Sequence, residues 1–122
     1  MELQYRELEN KIRLIRLIGE LDISKAKSVE SEFIVHCAGN QLKVIVDLSK
    51  VTDITHSGVQ LFLWTAKEVV SRGGKFVVTN SIPTVEQFLK KNGVSVWAQS
   101  YPDIDTAVSY LLGLETNRLE DL

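Results

Sequence analysis

The stretch that most constrains this chain runs from Leu42 to Thr79. It opens with LKVIVDL (42–48), a β-branched and aliphatic run without polar alternation, the pattern of a strand covered on both faces. A polar knot, THSG (55–58), follows. Val59, Phe62, Leu63, Ala66, Val69 and Val70 then recur at helical spacing as far as Ser71. Gly73-Gly74 ends that helix, and KFVVT (75–79) reads as a second strand. Two buried strands joined through a helix pair in parallel with a right-handed crossover. A parallel sheet must be covered on its faces, so the remaining segments have to supply helices.

They do. Glu2 to Glu9 and Lys11 to Ile18 read as two strands joined by the tight turn Glu9-Asn10, with the second only partly covered because Arg13 and Arg16 fall on opposite faces. Gly19-Glu20-Leu21-Asp22 is expected to break the second strand. Asp22 or Ser24 can cap the helix that follows, whose inward face is Ala26, Val29, Phe33 and Cys37, and Gly39 ends it. After the central unit, Asn80 or Ser81 is placed to cap a short helix with Pro83 in its first turn and Gly93 at its end. Val94 to Trp97 reads as a brief edge strand, and Asp103 opens a last helix facing inward with Ile104, Ala107, Val108 and Leu111. The order is β-β-α-β-α-β-α-β-α: an α/β domain with a mixed, mostly parallel sheet of four or five strands and about four helices. The domain is expected over residues 1–114, with a polar, frayed tail over 115–122.

Function classes narrow quickly. A net charge of -2 and the lack of a basic stripe argue against nucleic acid or an anionic membrane surface as partner. Apolar runs fall short of the roughly 18–20 residues of a membrane span, so no membrane span is expected. Residues 1–9 are polar and charged, unlike a signal peptide. The single cysteine, Cys37, fits a reducing compartment, and the expected location is the cytoplasm. No GxGxxG or GxxxxGK[ST] fingerprint is present. One Cys and two widely separated His residues do not suggest zinc, so neither cofactor nor metal is expected.

The knot is where chemistry concentrates. Ser57 stands at the start of a helix, where its hydroxyl can cap first-turn amides. The same place tolerates a phosphate, because helix N-termini carry partial positive charge and unpaired N–H groups. His56 and Ser57 are adjacent and project about 100° apart on a helix, so they do not form a nucleophile–base pair. Gly-x-Ser-x-Gly is not satisfied either, since Thr55 and Val59 flank the Ser-Gly step. No enzyme is expected. His36 reads as a solvated residue on the outer face of the first helix. Asp47 is expected to end the third strand, and Asp53 to lie in the loop after it; either can hold that loop through backbone amides. Trp64 falls off the inward stripe, as a partner anchor or a residue at the rim of the core. Trp97 and Tyr101, flanking the last loop, read as core or rim.

LIGELD (17–22), VIVDLSKVTDI (44–54), HSGV (56–59) and RGGKFVVTN (72–80) stand in an order and spacing that resembles the STAS domain family, the bacterial anti-sigma factor antagonists, over about Leu3 to Leu112. The resemblance implies a cytoplasmic regulatory domain that binds an anti-sigma factor, itself a serine protein kinase, and so frees a sigma factor. It also implies phosphorylation at the serine before the helix-opening glycine, here Ser57, reversed by a phosphatase. The family's usual Asp-Ser-Ser-Gly or Asp-Ser-Thr-Gly reads Thr55-His56-Ser57-Gly58 in this chain. The partner-binding residues it implies are Gly19, Glu20, Asp22 and Ser24 in one loop, Thr55, His56, Ser57 and Gly58 in the knot, and Gln60 and Trp64 on the helix. Gly58 is expected to let a partner's backbone come close. Two alternatives stay open: a STAS subunit of a larger assembly without a phosphoswitch, and a small-ligand or nucleotide-binding domain.

Overall fold

In the computed structural model, residues 2–21 and 23–120 are described, with side chains described for 2–21 and 27–113. The chain runs β1 (Glu2–Glu7), β2 (Ile12–Leu21), α1 (Ile23–Cys37), β3 (Lys43–Ile54), α2 (His56–Ser71), β4 (Lys75–Thr79), α3 (Pro83–Lys91), β5 (Gln99–Tyr101) and α4 (Ile104–Glu120). The strands form one sheet in the order β1-β2-β3-β4-β5. The β1–β2 hairpin is antiparallel and every other pair is parallel. This is the expected α/β architecture.

The strands are sandwiched between two helical layers. The larger core packs Val29, Phe33 and Cys37 of α1 and Val59, Phe62, Ala66 and Val69 of α2 against Ile15, Leu17, Val44, Val46, Phe76 and Val78 of the sheet, with Val85 and Leu89 of α3 completing it. Phe33, Phe62 and Phe76 meet at ring-centroid separations of 5.7–6.3 Å, a tilted and edge-on triad at its centre. A smaller core on the opposite face joins Ile12, Leu14, Ile45 and Val77 to Ala107 and Leu111 of α4. The strands β2 and β3 thus send apolar residues into both cores, with the partly exposed Arg13 and Arg16 interrupting β2 as expected.

Several expected boundaries move. The second strand does not break at Gly19: β2 continues to Leu21 because β3 also continues, past Asp47 to Ile54, and the two stay paired through Gly19↔Val51 and Leu21↔Ile54. Gly19, at φ 117°, sits at a shift in that register, where a residue with a side chain would be strained. Asp47 therefore lies within a strand and Asp53 on the same long strand. The edge strand expected at Val94 to Trp97 is instead a single 3-10 turn over Val94–Val96, entered from Gly93 in a left-handed conformation; the pairing with β4 falls on Gln99–Tyr101. The backbone of α4 reaches Glu120, past the expected start of the tail. His36 is not simply solvated, since its ring lies 3.9 Å from that of Tyr5 on β1. Trp97 is at the rim, 39% exposed, with the Lys67 ammonium 5.6 Å from its ring. Tyr101 is partly buried, its ring 5.0 Å from that of Tyr110 on α4.

Candidate functional site

Three segments converge where β2 and β3 end and α2 begins. Thr55 donates both its backbone N–H and its hydroxyl to the carbonyl of Leu21, each at 3.1 Å, and its own carbonyl accepts the N–H of Val59. These bonds tie the end of β2 to the first turn of α2. They also dispose of the side chain that occupies the capping position: Thr55 makes no side-chain cap, and the first turn of α2 holds no acidic residue. Ser57 does not cap either; it lies one position inside the helix. The expected capping role is corrected accordingly, and among the described residues no side chain caps the first-turn amides of α2.

Gly58 is buried against its own chain. A Cβ there would come within 2.7 Å of Leu21 Cδ2, 2.8 Å of Leu21 Cγ and 2.9 Å of Ile54 Cγ1. The glycine lets the helix start close on the paired ends of β2 and β3, so its requirement is internal packing and not the approach of a partner's backbone. That close seating fixes where the neighbouring residues point. The His56 ring lies 5.2 Å from that of Phe88 on α3, whereas Ser57 turns toward α1. The two side chains diverge, as the helical geometry requires.

On the α1 side, Ser57 lines an open groove of about 390 Å³. Ser57, Gln60, Leu61 and Trp64 form its α2 wall, and Lys27, Glu30 and Ile34 its α1 wall. Positions 57, 60, 61 and 64 recur at three and four residues, as do 27, 30 and 34, so each wall is one stripe of a helix. Ser57 is half-buried, and its hydroxyl has no hydrogen-bond partner among the described residues. Trp64 is 51% exposed, too open for a core residue. Of the residues expected to face a partner, the groove therefore gathers Ser57, Gln60 and Trp64. Thr55, His56 and Gly58 surround the helix start. Gly19 and Glu20 belong to the extension of β2 and not to a loop. Asp22 and the side chain of Ser24 lie outside the described residues. Sequence reasoning missed Lys27, Glu30 and Ile34, although their spacing beside the inward stripe Val29, Phe33 and Cys37 marks them as the neighbouring helix face.

A second polar cluster sits on β3. Asp47 is fully buried; its Oδ1 accepts from the Ser49 amide (3.0 Å) and Asn80 Nδ2 (3.1 Å), and its Oδ2 from Arg16 Nε (2.7 Å) and the Ser49 hydroxyl (3.2 Å). Burial works against its charge, yet the Ser49 amide, Arg16, Asn80 and the Ser49 hydroxyl together hold its carboxyl below the usual carboxylate range. The expected cap of α3 is Asn80 or Ser81; neither holds the capping position, which falls to Ile82, and Asn80 is engaged elsewhere. Its side chain goes to Asp47 instead, from a left-handed backbone at φ 60°, and α3 starts after Ile82 with Pro83 in its first turn and no side-chain cap. The helix opened by Asp103 is capped as expected, the Thr106 amide donating to Asp103 Oδ1 at 2.7 Å. Burial pushes the Cys37 thiol up to about 12, against the smaller influence of Arg13, so it is a core residue without thiolate character.

Among the described residues no cluster of His, Cys, Asp or Glu could hold a metal ion, and no helix is long and apolar enough to cross a membrane. The STAS domain model matches residues 5–107. Among solved structures the chain is similar to the anti-sigma factor antagonist SpoIIAA in its unphosphorylated form, at 21% identity over 92% of this chain and 97% of that one, with a TM-score of 0.75. It is also similar to the Bacillus cell fate determinant SpoIIAA in its phosphorylated form, at 21% identity over 90% and 99%, TM-score 0.67. A serine-to-glutamate variant of RsbS from Moorella thermoacetica matches at 12% identity over 95% and 99%, TM-score 0.76. At these identities the likeness to solved structures is one of fold. The family match spans most of the chain, and with it the chain belongs to the STAS domain family.

Proposed function

We propose that this domain is an anti-sigma factor antagonist, switched by phosphorylation of Ser57. It binds an anti-sigma factor of the serine-kinase type in the cytoplasm and so frees a sigma factor; the kinase phosphorylates Ser57 and a phosphatase reverses the modification. The observation that carries this reading is the half-exposed, unpartnered hydroxyl of Ser57 in the first turn of α2, opening on the groove beside amides that no side chain caps. A phosphoryl group there adds about -1.5 to -2 charges. The helix N-terminus accepts that charge without unfolding, while a surface complementary to the neutral hydroxyl is lost. The phosphorylated and unphosphorylated forms of SpoIIAA share this fold, which is consistent with a switch that leaves the core in place.

Thr55 and His56, in place of the family's usual Asp and Ser, favour one second reading: the same binding domain without the phosphoswitch, as a subunit of a larger assembly. One experiment separates them. The purified chain is incubated with its cognate anti-sigma kinase and ATP, and phosphate is mapped by mass spectrometry. Label on Ser57, together with binding weakened at least about tenfold by Ser57→Asp and retained by Ser57→Ala, supports the switch. Unlabelled Ser57 with Ser57→Asp binding as tightly as the native chain supports the unswitched subunit.

A further inference from the structure

The two edges of the sheet are unequal. At one, β5 is three residues long. At the other, β1 presents six residues, Glu2–Glu7, with an unbroken register to β2 and, among the described residues, no strand on its outer side. Natural edges are usually blunted by shortness, proline, a bulge or charged side chains, lysine above all. β1 has no proline, lysine or bulge, and its charges, Glu2, Arg6 and Glu7, are of both signs. Its charges are also distributed unevenly. Glu7 lies opposite Arg13 across the hairpin and forms an ion pair with it. Glu2 and Arg6 lie opposite Ile18 and Leu14, so neither meets an opposite charge in its own sheet. Both are exposed, and Tyr5 is 56% exposed between them.

We propose that β1 pairs antiparallel with β1 of a second copy of this chain, in the register that sets Gln4 opposite Gln4 of the partner subunit. A twofold axis through that pair makes the interface self-complementary, as a closed dimer requires. Glu2 then faces Arg6 of the partner subunit twice over, and Leu3 faces Tyr5 of the partner subunit twice over; such directly opposed pairs are the units of sheet stabilisation. Neighbouring registers do worse. The twofold allows shifts of two residues only, because a one-residue shift turns one strand's side chains to the other face. Shifted one way, Gln4 faces Arg6 of the partner subunit and Glu2 loses its opposite charge. Shifted the other way, Glu2 faces Gln4 of the partner subunit and Arg6 lies beyond the ladder. The main-chain bonds of strand addition supply affinity, and the charges fix the register. So short a ladder buries less than a standard interface, so the dimer is weak and salt-sensitive. It forms at the rim of the sheet and does not depend on the role of Ser57.

Sedimentation equilibrium of the full chain at low salt tests this. The native chain is expected to dimerise as its concentration rises toward about 1 mM. Glu2→Lys or Arg6→Glu, each alone, places like charges opposite at two points and is expected to weaken association at least about tenfold. Mixing the two variants restores a dimer, because the introduced lysine of one faces the introduced glutamate of the other while the remaining Arg6 and Glu2 still pair. Variants that had merely unfolded could not recover on mixing. A native chain that stays monomeric at about 1 mM, single variants that associate like the native chain, or a mixture that stays monomeric each overturns the proposal.

Discussion

Asp47 and Ser57 lie on either side of the long end of β3, and they are built on opposite terms. The carboxylate of Asp47 is fully buried and has four donors, two on each oxygen. The hydroxyl of Ser57 is half-exposed and has none among the described residues. A buried charge with every lone pair engaged rigidifies what it joins, here β2, β3 and the turn after β4. A polar group left open at a helix start contributes little to folding and stays available to react or bind. The contrast separates structural polarity on β3 from functional polarity on the helix that follows it: saturation of partners, more than residue type, distinguishes them.

Removing the saturated group gives the largest expected effect. Asp47→Ala strips the acceptor from Arg16, Asn80 and the Ser49 amide, and should lower unfolding free energy by roughly 3 kcal/mol in urea denaturation. Arg16→Ala should be milder, because Arg16 is 39% exposed and the two remaining partners still hold the carboxylate. The acid side carries a sign. Since the folded carboxyl is held below its usual range, its contribution is present above the unfolded value of about 3.9 and lost as pH falls through the lower folded value. Asp47→Asn should therefore flatten the acid limb of the stability–pH curve. If Asp47→Ala costs no more than Ser57→Ala, the contrast between the two clusters is broken.

Gly58 is intermediate. Ala at this position gains helix propensity of about 1 kcal/mol but overpacks Leu21 and Ile54, which generally costs about 1–3 kcal/mol. A net loss of roughly 1 kcal/mol in thermal or denaturant unfolding is expected. Leu21→Ala, which opens the space Gly58→Ala needs, should make the second substitution less costly in a double-mutant cycle. Additive losses would show that the glycine is not held by that contact.

The repeating pattern of strand and helix was legible because it is set by hydrophobic periodicity: KVIVDL and KFVVT could hardly be anything but buried strands beside an amphipathic helix. Gly19 misled because a glycine inside a strand signals either a break or a bulge, and only the continued pairing with Val51 to Ile54 decides between them. Val94 to Val96 misled because Val-Ser-Val alternates like a strand over too few residues to decide, and Gly93, in a left-handed conformation, leads it into a 3-10 turn. At the site, Ser57 was legible from the helix start, but its neighbours were not. The capping assignment for Ser57 failed because α2 begins earlier than that role needs, with Thr55 in the capping position and its hydroxyl given to the Leu21 carbonyl; the assignment for Asn80 failed because its amide goes to Asp47. Those partners lie more than thirty residues away along the chain.

The smallest expected effect is the most informative about the switch. The first turn of α2 has neither a side-chain cap nor an acidic residue, so a negative charge at position 57 meets unpaired amides and the positive end of the helix. Ser57→Asp should consequently leave the fold intact and change stability by less than about 1 kcal/mol, in the stabilising direction at neutral pH. The carboxylate so introduced has its pKa lowered by that environment, so its contribution is present above about pH 4 and disappears on acidification. Ser57→Ala, carrying no charge, should show no such pH term. Thermal melts of both at pH 7 and pH 3 make the comparison directly. If Ser57→Asp were instead destabilising at pH 7 by several kcal/mol, the helix start would be unable to bear a dianion, and loss of partner binding in that variant would report unfolding and not a switch.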